Sequence, residues 1–152
     1  MPHIHDKIDL TVEVFIVYNG MVLLRKHDKY KIWLSIGGHV ELDEDPTQAA
    51  IREVKEEVGL DVVLDDRLLP STENTDTYRE LIPPRFLNRH RINAAHEHVC
   101  MTYFARSESD TVLNQESEKS DEMRWFRMED LEDPELTDHV RLYAQTALKE
   151  VI

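Results

Sequence analysis

Glu53, Glu56 and Glu57 stand at i, i+3 and i+4 within Gly38 to Leu60, GHVELDEDPTQAAIREVKEEVGL. On a helix that spacing gathers their carboxylates on one side. Like charges so placed repel by about a few tenths of a kcal/mol per pair, and the lone Arg52, four residues before Glu56, cannot neutralise all three. A hard divalent cation can. With oxygen donors only and neither cysteine nor histidine among them, the cluster suits Mg²⁺ or Mn²⁺ rather than zinc. Mg²⁺ commonly binds a few carboxylates, waters and substrate phosphates together, so the chemistry indicated is that of phosphates.

A helix must carry these residues, and the sequence supplies its ends. Asp45-Pro46-Thr47-Gln48 offers an N-cap carboxylate, a proline at the first helical position and a glutamine three residues after the cap; Gly59 offers the stop. Between them the helical period predicts a core face of Ala50, Ile51, Val54 and Val58 and an opposite face of Arg52, Glu53, Glu56 and Glu57. A solvated charged helix face is the common meaning of such a pattern.

The spacing decides against that plain reading. The pattern G-x5-E-x7-R-E-U-x-E-E-x-G-U, with U aliphatic, is the Nudix box, and this sequence resembles it at Gly38, Glu44, Arg52, Glu53, Val54, Glu56, Glu57, Gly59 and Leu60. The identical positions, each at roughly 7% average usage, make a chance match at any one start on the order of 10⁻⁸. The resemblance implies a Nudix-type α/β/α sandwich with a central mixed sheet. It also implies Mg²⁺-dependent hydrolysis, with Mn²⁺ as the alternative ion, of a pyrophosphate bond in a nucleoside diphosphate linked to another group X. By the same resemblance Glu56 and Glu57 are metal ligands, Glu53 is a further ligand or the base that deprotonates water, Arg52 orients the carboxylate face, and Glu44 supports the loop. A backbone carbonyl of the glycine pair, Gly37 or Gly38, joins the metal shell. Family members often complete the cluster with a carboxylate from a late loop before a tryptophan-bearing strand, which makes Glu116 the first and Glu118 the second candidate here. A solvated acidic loop is the alternative for both.

The rest of the chain reads as a frame for this stretch. At 152 residues it is expected to form one domain, residues 1–152, with a real core. DLTVEVFIVY (9–18), an Asn19-Gly20 turn and MVLLR (21–25) predict a hairpin, followed by a basic segment containing Arg25, Lys26, His27, Lys29 and Lys31. DVVLDDRLLP (61–70) reads as a bent strand. The segment 83–91, Pro-Pro-Arg-Phe-Leu-Asn-Arg-His-Arg, reads as a loop that either meets substrate through Arg85, Arg89 and His90 or is ordinary basic surface. His96 to Ala105 is the strongest later strand; His96 and His98 share one of its faces, a metal-ligand spacing, but no third soft ligand is evident, so substrate contact is the expectation. A last amphipathic helix, from Thr137 or Asp138 to Lys149, turns Val140, Leu142, Tyr143, Ala147 and Leu148 inward.

Composition narrows the partners. A formal charge of −13 disfavours nucleic acid polymers, whereas a small phosphorylated substrate, a nucleotide for example, remains compatible through its metal ions. The longest apolar runs are too short to span a membrane and the N-terminus lacks a signal-peptide core, so a soluble cytoplasmic protein is expected. The single Cys100 excludes an internal disulfide and any multi-cysteine zinc site. A homodimer is compatible with the sequence, which carries no signal for oligomeric state.

Two other classes fit parts of the pattern. A noncatalytic Nudix-like nucleotide-binding module or sensor is one, but such proteins tend to lose box carboxylates and here none is lost. An isopentenyl diphosphate isomerase on the same fold is the other; its catalytic cysteine precedes the box, whereas Cys100 follows it. The identity of X is set outside the box, which leaves 8-oxo-nucleoside triphosphates, ADP-ribose, nucleotide sugars, dinucleoside polyphosphates and non-nucleotide pyrophosphates open.

Overall fold

The computed structural model describes residues 7–27, 30–113 and 122–151. The hairpin forms as its residues demand. Strand β1 (Ile8–Tyr18) meets β2 (Met21–Lys26) through Asn19 and Gly20, both at positive φ, as a two-residue turn between twisted strands requires. The two strands pair only next to the turn and then splay, and β3 (Trp33–Leu34) and β4 (Ile36–His39) lie between them, β3 on β2 and β4 antiparallel to the first half of β1. Strand β8 (Glu122–Phe126) takes the outer edge of β2.

On its other edge β1 runs parallel to β7 (His96–Ser107) from Ile8 to Val17, which makes the sheet mixed. β5 (Val62–Leu64) and β6 (Phe86–Asn93) follow each other along the far edge of β7. Segment 83–91 is therefore for the most part a strand and not the loop its prolines suggested: Pro83 and Pro84 keep the entry irregular, and from Phe86 the chain finds a partner in β7. The predicted strand over 61–70 shortens to the three residues of β5, because Leu69 N–H turns back onto the Asp66 carbonyl.

Alternation along the strands sends side chains to two cores. Val12, Val14 and Ile16 of β1 and Tyr103 and Ala105 of β7 pack under helix α1 (Pro46–Val58). Phe15, Val17 and Phe104 pack on the other side under α2 (Asp138–Glu150) and the 3₁₀ turn Met128–Glu132. Each fully buried side chain of this size contributes about 1.5–3 kcal/mol. Sheet between helices is the α/β/α arrangement expected.

The helices bury narrower stripes than the sequence suggested. In α1 the buried residues form two i, i+4 rows, Ala49-Glu53-Glu57 and Ala50-Val54-Val58, so Ile51 falls outside both and is 46% exposed. In α2, Val140, Tyr143, Ala144 and Ala147 are buried and Leu142 is exposed, because the stripe follows the i, i+3, i+4 row that meets β1.

Candidate functional site

The site is built on the second half of α1 and the loop before it, and the helix is fixed at both ends. Asp45 accepts the Gln48 N–H at 3.0 Å while the Gln48 side chain accepts the Asp45 N–H at 2.9 Å, the reciprocal box expected. Gly59 ends the helix in the left-handed region at φ 72°, its N–H on the Lys55 carbonyl.

Arg52 organises the loop that precedes the helix. Its Nε and Nη2 donate to both Glu44 oxygens, at 3.0 Å to Oε2 and 2.7 Å to Oε1. Nη1 reaches Glu53 Oε1 at 3.0 Å and Glu56 Oε2 at 3.1 Å, and Nη2 also holds the His39 carbonyl at 3.0 Å. The hydrogen bonds from Arg52 are the main reason the Glu44 carboxyl sits below its usual range, and burial opposes them. Glu44 likewise raises Arg52 further above its ordinary value. One guanidinium thus ties a strand end, a loop and two helix carboxylates together.

The core face and the carboxylate face overlap, which the sequence reading did not anticipate. Glu53 and Glu57 are each only 6% exposed; Glu56 faces outward. Glu57 Oε2 lies 3.5 Å from Arg25 Nη1 of β2, a second cation that the hairpin delivers from the neighbouring strand. Gly38 sits directly against the Glu53 carboxylate, where a Cβ would collide with it, and a Cβ on Gly37 would collide with the Val12 backbone. The glycine pair is therefore an approach requirement: the strand must pass this close for the carboxylate to lie on its backbone. Glu116 and Glu118 lie outside the described residues.

The five substrate candidates separate into three places. Arg85 makes a two-point ion pair with Glu150 of α2, at 2.9 and 2.8 Å, joined by Arg67 at 3.0 Å. Arg89 forms a similar exposed pair with Glu97. His90, His96 and His98 converge on the sheet face opposite α1, with ring centroids 5.7 Å apart for His90 and His98 and 5.2 Å for His96 and His98. Two further residues meet them there, Asp9 of β1 and His39 of β4, neither singled out from the sequence. The signal was present in β1, whose alternation puts Asp9, Thr11 and Glu13 in the row of Phe15 and Val17. Burial, followed by the charges of His39, His90 and His96, pushes His98 down to about 4. On the same face Glu13 accepts hydrogen bonds from Ser35 and Thr102, both at 2.7 Å. Cys100 is buried, which raises its thiol to about 12 and leaves it unreactive.

A NUDIX domain model matches residues 7–146. The chain belongs to the NUDIX hydrolase family. A hydrolase of the NUDIX family from Clostridium perfringens is similar in structure, with a TM-score of 0.79 at 31% identity over 93% of this chain and 96% of that one. A MutT NUDIX hydrolase from Burkholderia pseudomallei gives 0.62 at 26% identity, over 97% and 100%. Among curated proteins, dihydroneopterin triphosphate diphosphatase of Escherichia coli K12 is 42% identical over 55 residues, which is 36% of this chain and 37% of that protein. The protein of the same description from Haemophilus influenzae is 43% identical over 44 residues, 29% and 28% respectively. These matches thus cover just over a third of such relatives at most. Among the described residues no helix is long and apolar enough to cross a membrane.

Proposed function

We propose that the protein hydrolyses a pyrophosphate bond in a nucleoside diphosphate linked to another group X, with Mg²⁺ or Mn²⁺ at the carboxylates of α1. One observation carries this reading: Glu53 lies against Gly38, Arg52 is held between Glu53 and Glu56, and Glu57 stands one turn on from Glu53 along the same helix. The donor set fits a hard cation. Among the described pairs Glu41, Glu44, Glu53, Glu56 and Glu57 lie around Arg52 and Arg25, five carboxylates to two guanidinium groups. Glu56 and Glu57 would hold the ion together with a carbonyl of Gly37 or Gly38, and Glu53 would ligate it or take the proton from water. An ion held by these residues would neutralise phosphate charge and lower the pKa of the attacking water.

The chain's own residues prepare that step. Arg52 is engaged by Glu44 and the His39 carbonyl, which orients its remaining N–H groups toward Glu53 and Glu56 before substrate arrives. Little reorganisation is then left for the transition state. Glu116 or Glu118 is the proposed supplier of a further carboxylate from outside the helix.

The local likeness to dihydroneopterin triphosphate diphosphatases adds a pterin triphosphate to the candidate substrates. The test is a panel of this compound, 8-oxo-nucleoside triphosphates, ADP-ribose, nucleotide sugars and dinucleoside polyphosphates, with Mg²⁺, following phosphate and pyrophosphate release. At least one should turn over in the wild type and fail in Glu57→Gln. No turnover across the panel, with nucleotide binding retained, would favour the noncatalytic module instead. In parallel, if neither Glu116→Gln nor Glu118→Gln changes kcat by more than about twofold, the base lies within the box and Glu53 is its first candidate.

A further inference from the structure

The sheet face that carries the histidines lies across the sheet from the box carboxylates, although His39 itself belongs to the box stretch. It lies beyond the end of α2, on the side of the sheet away from α1, and it is assembled from four strands. β1 brings Asp9, β4 brings His39, β7 brings His96 and His98, and β6 brings His90. The registers make this meeting compulsory, because Asp9 pairs with His98 across the parallel β1–β7 ladder and Thr11 pairs with His39 across β1–β4.

The geometry is that of a ligand set. Asp9 is 1% exposed, and two imidazoles reach the same oxygen of it, His39 Nε2 at 3.1 Å and His96 Nε2 at 3.3 Å. Asp9, His39 and His98 each place one donor atom so that all three lie within 4.8 Å of one another. The His39 and His98 rings stand 5.0 Å apart at 83°. Tetrahedral ligands at about 2.1 Å from zinc are about 3.4 Å apart, so His39 and Asp9 already have the spacing and His98 needs only a small side-chain shift.

We propose that Asp9, His39 and His98 form a site for a single divalent transition metal of the zinc class, with a fourth position open to water or an anion. Two imidazole nitrogens and one carboxylate oxygen suit Zn²⁺ and Co²⁺, whereas Mg²⁺ prefers oxygen alone. His96 then holds the Asp9 carboxylate in place, as the partners of metal-bound groups commonly do. His90 stands at the rim beside His98. This inference does not rest on the hydrolytic reading, since it uses none of the box carboxylates.

The test uses the intact chain, stripped with chelator and dialysed, then titrated with Co²⁺ alone and with Zn²⁺ alone in excess Mg²⁺, which occupies carboxylate-only sites. Cobalt is followed by its visible absorption and zinc by competition with a chromophoric chelator. The wild type should take up one equivalent of either ion at micromolar or tighter affinity. His39→Gln and His98→Gln should each weaken it by at least about tenfold, and Glu57→Gln should bind cobalt as the wild type does. Circular dichroism checks that the histidine variants are folded, and since these are partly exposed residues on strand ends, their loss of binding is readable without touching buried Asp9. Absence of an equivalent that survives excess Mg²⁺ would overturn the proposal. So would wild-type affinity in both histidine variants, or loss of the cobalt spectrum in Glu57→Gln.

Discussion

The two faces of the sheet differ in the donors they would present to a cation. On the α1 side, glutamates surround a fixed guanidinium midway along a helix, and charge is in excess over any geometry that would select among soft metals. On the opposite side, a single buried carboxylate meets imidazoles from β4 and β7, and donor type rather than charge would do the selecting. The proposed hard-ion and borderline-ion sites would thus stand apart by the thickness of one sheet. The residue that touches both is His39, whose carbonyl is bonded by Arg52 while its ring lies with Asp9.

The sharpest way to break the comparison is to remove charge from one face only. Glu56→Gln and Glu57→Gln should each lower turnover by at least ~10²-fold, and chelator should abolish it in the wild type; Mg²⁺-supported activity near normal in either variant would remove that face from the chemistry. The pair should differ in stability, because Glu57 is buried beside Arg25 and Glu56 faces outward. Denaturant unfolding should show a clear loss for Glu57→Gln and almost none for Glu56→Gln.

Smaller changes sharpen it. Gly38→Ala puts a methyl where the Glu53 carboxylate lies, so kcat should fall by about tenfold or more and the Mg²⁺ dependence should move to higher concentration. An unchanged metal titration would mean that Glu53 can move aside without consequence. Arg52→Lys keeps the charge but loses the two-point contact with Glu44 and the bond to His39; it should cost about 2 kcal/mol by equilibrium unfolding and lower kcat more than it raises KM. The smallest effect is expected far from both faces, at Glu150. Hydrogen bonds from Arg85, then the Arg67 pair, hold its carboxyl below the ordinary value of 4.5, so its contribution is present above that pH and is lost as pH falls through the depressed value. Thermal melts between neutral pH and pH 3 should show a shallower acid slope for Glu150→Gln than for the wild type.

What could be read beforehand follows from how far apart in sequence each feature's parts lie. The box face is one contiguous stretch with a cap, a stop and fixed spacings, so its residues and its helix were legible. That Glu53 and Glu57 are buried was not, since it depends on β4 passing against Glu53 at Gly38 and on β2 bringing Arg25 to Glu57. The histidine face joins residues 9, 39, 90, 96 and 98, and only the pair at 96 and 98 shares a strand. Two of its proposed ligands, Asp9 and His39, were invisible until the β1–β4 and β1–β7 registers were known. Segment 83–91 was misjudged because proline and arginine content describe its entry and its surface, whereas its strand character comes from β7 alongside it.

Strand β1 is paired on both edges over most of its length, with β7 along one side and β4 and then β2 along the other. Amides of Val12, Val14 and Ile16, buried as well as bonded, can meet solvent only when the sheet comes apart, so in a hydrogen–deuterium exchange experiment they should be among the last to label, at the rate of global opening. The same strand pairs with Gly37 and with Gly38, which faces Glu53, and carries Asp9 for the histidines. Both faces are therefore anchored to the slowest-opening part of the molecule, and local breathing of loops or helix ends leaves their backbone frame in place.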